Sequence, residues 1–142
     1  MINGKELMIG DYVDLSNDDS NIVLGIVKGL FPKWNAYFIG IDEIGKDKSA
    51  AFEHCRTEEE IQPIKLTKKF FLKNKFRVLY TYHNVVRIYC QKDATLKIDL
   101  WQTEDGLRCS VDDDQIRVNY VHEFQHLLRL IGLSEMANNL KL

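Results

Sequence analysis

From residue 76 to residue 118 the chain strings together four runs rich in valine, isoleucine, leucine and tyrosine, at 76–90, 94–102, 107–111 and 115–118. Turn-forming residues separate them at 91–93, 103–106 and 112–114. Brief polar connections join consecutive strands only as antiparallel neighbours, so the pattern predicts a four-stranded meander. A sheet of this kind needs one face covered. The cover follows directly in the chain. Projected at about 100° per residue, Tyr120, Val121, Phe124, Leu127, Leu128 and Ile131 fall on one stripe. They predict an amphipathic helix running from an Asn119 cap to about Gly132. Glu123 then lies in its first turn and Arg129 near its end, where the helix dipole favours each charge.

The N-terminal half also reads as β. Leu7, Ile9, Val13 and Leu15 alternate around Gly10 and Asp11, and the runs 22–27 and 34–41 follow, with 17–21 and 29–33 as turn material. Residues 51–55 and 61–64 can supply shorter strands. Short strands opening on a Gly-Asp-x-Val bend predict a small SH3-like barrel over residues 1–65, followed by an α+β part over residues 66–142. Pro63 marks the junction, Thr67 is an N-cap for a helix over 68–73, and Leu66 can pack on Phe71 as a hydrophobic staple. The expected fold class is therefore α+β: a barrel, a short helix, an antiparallel meander and a C-terminal helix packed on it. The carboxylate- and amide-rich stretch 14–21 lacks the glycine and terminal glutamate of a calcium loop and is read as a turn.

A chain of 142 residues fits one domain or two very small ones, and 45% hydrophobic with 28% charged residues excludes a disordered chain. No apolar run is long enough to span a bilayer, and residues 1–11 lack the basic start and apolar stretch of a secretory signal, which predicts a cytoplasmic protein with no membrane partner. A net charge of −2 gives no global attraction to nucleic acid. Cys55, Cys90 and Cys109 are odd in number and far apart, so free buried thiols are expected rather than a disulfide framework or a zinc ribbon.

Two local patterns carry candidate chemistry. His122, Glu123, Phe124, Gln125 and His126 spell His-Glu-x-x-His, in which two imidazoles one helical turn apart can share a zinc ion while the glutamate activates its bound water. The extended form of the motif fails, with Arg129 at the glycine position and Gly132 at that of the third histidine. His54, His83 and the aspartates Asp112, Asp113 and Asp114 remain as ligands that only the fold could bring in. The competing reading makes His122, His126 and Arg129 the solvated polar face of the helix, opposite its apolar stripe. The second pattern is the segment 65–77, which holds Lys65, Lys68, Lys69, Lys73, Lys75 and Arg77, no acidic residue, and Phe70, Phe71 and Phe76 among them. Basic and aromatic residues together can bind a single strand by phosphate contact and stacking; the same phenylalanines also suit the apolar face of a short helix. No nucleophile constellation, phosphate loop or dinucleotide fingerprint is visible.

Three stretches give the chain a resemblance. They are Glu6-Leu7-Met8-Ile9-Gly10-Asp11-Tyr12-Val13; Ile61-Gln62-Pro63-Ile64-Lys65-Leu66-Thr67 with Lys73-Asn74-Lys75-Phe76; and Tyr120-Val121-His122-Glu123-Phe124-Gln125-His126. In this order they resemble a family of short uncharacterised proteins of gut bacteria and their mobile elements or phages, in which no activity is established. The resemblance implies that glutamine often replaces Glu123, which removes a general base, and that glycine is usual where Lys75 stands. A left-handed turn is then expected at Asn74 or Lys75. The combined expectation is a non-enzymatic interaction module with an unidentified protein partner. The alternatives are a zinc-dependent hydrolase using His122, Glu123 and His126, and nucleic-acid binding through Lys68, Lys69, Lys73, Lys75 and Arg77.

Overall fold

In the structure, a computed structural model, residues 2–16, 23–33, 36–45, 54–83, 85–90, 97–103, 106–111, 114–116 and 118–142 are described. They form a mixed α+β chain that divides into two units, Met1–Ile64 and Lys65–Leu142. Among the described residues no helix is long and apolar enough to cross a membrane.

The N-terminal unit is built on strands β1 (Tyr12–Asp14), β2 (Leu24–Lys33), β3 (Ala36–Glu43) and β4 (His54–Thr57), with 3-10 turns at Gly4–Glu6 and Glu58–Glu60. The strands pair antiparallel in the order β1-β2-β3-β4, so the described pairings leave the sheet open and do not close the expected barrel. Beyond the second turn, Gln62 returns to β1, with Asp14 N–H donating to Gln62 O at 2.9 Å and Gln62 N–H to Asp14 O at 2.8 Å. Leu7, Val13, Val27, Ile39, Ile41 and Ile61 are buried together as the core. Burial of each such side chain stabilises by about 1.5–3 kcal/mol. Asp11 is also buried, and its Oδ2 accepts the Met8 N–H at 2.8 Å, closing a bend in which Gly10 takes φ +91°. Glu60 closes the second 3-10 turn, since its Oε2 accepts the Thr57 N–H at 2.8 Å and the Thr57 hydroxyl at 3.0 Å. These two bonds, the backbone one first, hold its carboxyl below the usual carboxylate range.

Residues 29–33 are strand rather than the expected turn. The register runs Val27↔Ile41 and then Gly29↔Gly40, so Lys28 is an extra residue and the strand passes through the glycine on a β-bulge. β2 and β3 are joined through residues 34–35, which lie outside the described residues, as do the expected turn at 17–21 and residues 51–53 of an expected strand.

The C-terminal unit comprises helix α1 (Lys68–Lys73), strands β5 (Phe76–Tyr82), β6 (Val85–Cys90), β7 (Lys97–Thr103), β8 (Gly106–Val111) and β9 (Asp114–Ile116), and helices α2 (Val121–Leu130) and α3 (Ser134–Asn138). The sheet is an antiparallel meander in the order β5-β6-β7-β8-β9. It has five strands where four were expected, because the run 76–90 folds back on itself, with Tyr82 opposite Val85. His83 opens that turn at φ +50°, a left-handed conformation in which histidine is enriched among non-glycine residues. The turns expected at 91–93, 104–105 and 112–113 lie outside the described residues.

Thr67 caps α1 by accepting the Phe70 N–H on Oγ1 at 3.2 Å. Phe70 and Phe71 then turn inward to meet Phe76 of β5 and Phe124 of α2. The ring centroids of Phe71 lie 5.6 Å from Phe76 and 5.2 Å from Phe124, at interplanar angles of 89° and 78°. Phe70 joins the same cluster, 6.1 Å from Phe124 and also edge-on. Edge-to-face pairs contribute about 0.5–1.5 kcal/mol beyond their buried area. These contacts set α1 and α2 on the Phe76 face of the sheet, where Ile88, Ile98 and Leu100 are buried as well.

At the end of α1, Asn74 keeps φ −90° and Lys75 takes φ +64°, so Lys75 carries the left-handed turn. A residue with a Cβ costs about 1–2 kcal/mol in this conformation, and glycine gives back part of that through its freer unfolded chain. Lys75→Gly is therefore expected to stabilise the protein by about 0.5–1 kcal/mol, a rise of a few degrees in melting temperature by circular dichroism. A lower melting temperature would contradict the strain.

Candidate functional site

Helix α2 carries the His-Glu-x-x-His pentapeptide, and its two ends explain what two of its neighbours do. The first four N–H groups of a helix have no partner within the helix. Here Glu123 bends back to meet two flanking N–H groups, its Oε2 accepting from Asn119 at 2.6 Å and from Tyr120 at 3.1 Å. The carboxylate also sits at the positive end of the helix dipole. At the other end Gly132, at φ +83°, donates its N–H to Arg129 O at 3.1 Å, and Leu133 donates to Leu128 O at 2.7 Å. This paired closure satisfies two of the helix's final carbonyls.

The polar side of α2 is only partly solvated: His126 and Arg129 are half-buried, and two other residues on it are buried, contrary to the sequence expectation. His122 is 2% exposed and Gln125 is fully buried, alongside Val121, Phe124, Leu127 and Leu128. Ile131, assigned by projection to the apolar stripe, is 40% exposed instead. For Gln125 the cause is α3, which the projection of α2 alone does not reveal. Gln125 Nε2 donates to Ala137 O at 3.0 Å, and Arg129 Nη2 donates to Asn138 Oδ1 at 3.3 Å, so the polar stripe is a second docking face. Gln125 is a residue that apolar periodicity missed; it lies three residues after His122 and four before Arg129, on the same polar face.

The two imidazoles do approach each other. Their centroids are 5.9 Å apart and nearly perpendicular, and the His122 ring stacks on Tyr120 at 5.8 Å. Nδ1 of His122 is buried and takes no hydrogen bond, while the residue has other partners. Among the described residues no group of three His, Cys, Asp or Glu side chains converges to hold a metal ion. His54, on β4, faces Glu43 across 2.6 Å. His83 packs its ring 4.2 Å from that of Tyr82. Asp112 and Asp113 lie outside the described residues. A zinc ion here would find two of the three protein ligands a catalytic site takes, and a glutamate already accepting two backbone hydrogen bonds. Among the described residues no third ligand joins His122 and His126.

In the basic segment, Lys65, Lys68, Lys69, Lys73, Lys75 and Arg77 are all exposed. Phe70, Phe71 and Phe76 are all buried, at 7%, 1% and 0% exposure, and cannot stack on a base. Lys73 Nζ contacts the carbonyl of Leu142, and Asn74 clamps the same tail by donating to Lys141 O at 2.9 Å and accepting the Lys141 N–H at 2.6 Å. A cavity of about 400 Å³ lies beside this clamp, lined by Lys75, Glu135, Met136 and Lys141 among others. Charge is divided between the units: the C-terminal one has thirteen lysines and arginines against nine aspartates and glutamates, net +4, and the N-terminal one six against twelve, net −6. Cys55 is exposed on β4 rather than buried. Comparisons with protein-family models, with curated proteins and with solved structures each return no match.

Proposed function

We propose that this chain is a non-enzymatic interaction module. The observation that carries the reading is the engagement of Glu123, whose carboxylate closes the start of α2 and is thereby withdrawn from general-base work. For the N-terminal unit we favour an SH3-like organisation. What supports it is the succession of four antiparallel strands, a 3-10 turn, and a return of Gln62 to the outer edge of β1. Barrels of that kind present loops and sheet edges to partners, which suits a binding role. The family resemblance supports a setting in mobile elements.

Elemental analysis of the purified full-length protein after incubation with zinc and gel filtration tests the proposal. Far less than one zinc per chain is expected. Glu123→Ala is expected to lower stability by about 1 kcal/mol, as the loss of a helix cap does. One zinc per chain, lost on His126→Ala, would overturn the reading in favour of a hydrolase.

A further inference from the structure

Among the described pairings β5 is an edge strand of its sheet, and its charges are all of one sign. Beyond the buried Phe76, the side chains of Arg77, Val78, Thr81 and Tyr82 are exposed, and so is His83 at the hairpin tip. Val78 and Tyr82 are 51% and 66% exposed although the register sets them on opposite faces of the sheet, so both sides of this strand reach solvent. No acidic residue occurs from residue 61 to residue 92. Lys75 and Arg77 stand at the start of the strand, with no ion pair among the described residues, and the Tyr82 and His83 rings stand at its end. Arg77 and Tyr82 are five residues apart, about 16 Å along a strand, a span of two or three extended nucleotides.

We propose that the β5 edge binds single-stranded nucleic acid, with Lys75 and Arg77 contacting phosphates and Tyr82 stacking on a base. This rests on the interaction-module reading and names its partner. It also relocates the aromatic contribution: the phenylalanines of the basic segment are core, and the exposed aromatic ring lies at the far end of the next strand. Charge complementarity favours a polyanion, and an exposed tyrosine favours one that carries bases over an acidic peptide.

Fluorescence anisotropy of the full chain with a labelled oligothymidylate of about 15 nucleotides tests this. Binding is expected at about 50 mM salt and should weaken about 7-fold by about 200 mM if Lys75 and Arg77 each engage one phosphate. Tyr82→Ala should weaken it about 5-fold or more, and Arg77→Glu about 10-fold or more, through the lost phosphate contact and its reversed charge. Both side chains are exposed, so melting curves of the two variants should overlay that of the parent. No binding at low salt overturns the proposal. So does binding unchanged by Tyr82→Ala, or equal affinity for polyglutamate, either of which would mean a generic polyanion or acidic-peptide surface. Zinc content is indifferent to these outcomes, so a failure here leaves the module reading standing and a failure there is seen separately.

Discussion

Phe124→Ala is expected to lower the unfolding free energy by about 3–5 kcal/mol, read as a reduced midpoint in urea denaturation of the full chain followed by far-UV circular dichroism. Phe124 is fully buried and meets Phe70, Phe71 and Phe76 at centroid distances of 6.1, 5.2 and 6.0 Å. Removing the ring therefore withdraws apolar area, three edge-to-face contacts and the filling of the space between α1, α2 and β5. The surroundings cannot collapse into the gap, because the other three rings come from α1 and from the first strand of the sheet. Leu130→Ala provides the contrast: its side chain is 83% exposed on the same helix, so a change within about 0.5 kcal/mol is expected. Equal effects of the two substitutions would mean that the cluster does not hold the unit together.

Gln125→Ala should cost about 2–4 kcal/mol in the same experiment. Its amide is fully buried and donates to Ala137 O, and without it a buried carbonyl on α3 loses its donor, a cost of about 1–3 kcal/mol before lost packing is added. The substitution should also loosen α3 selectively, seen as faster hydrogen exchange of the amides from Ala137 to Asn139. A neutral Gln125→Ala would show that α3 is held by its apolar contacts alone.

The parts of the fold that were legible are those in which local chemistry and global packing agree. Thr67 at the start of α1, Gly132 just past α2 and the runs after Phe76 each announce themselves by a cap, a left-handed glycine or a strand-forming composition bounded by turn residues. The turn at His83 was hidden because it interrupts an otherwise continuous run of strand-forming residues with no glycine or proline. The passage of β2 through Gly29 was hidden for the opposite reason, since the bulge at Lys28 lets a residue that usually ends a strand continue one. At the candidate site, the position of Glu123 in the first turn was legible as a charge favoured by the helix dipole, while its hydrogen bonds to the Asn119 and Tyr120 N–H groups were not. The burial of Gln125 was out of reach, because an amide that donates to another helix's backbone leaves no trace in apolar periodicity. His122 shows the same limit, being 2% exposed on what the projection made the wet side.

The mutual tilt of the rings at the heart of the C-terminal unit has a dynamic corollary. Phe71 is hemmed by Phe70, Phe76 and Phe124, with planes 84°, 89° and 78° from its own. A benzene ring turning about its own axis sweeps out a wider slot than it occupies at rest, and perpendicular neighbours fill that slot with their edges. Half-turns of Phe71 must therefore wait for the two helices and the strand to draw apart together, which ties the pace of a single side chain to the collective breathing of the whole layer.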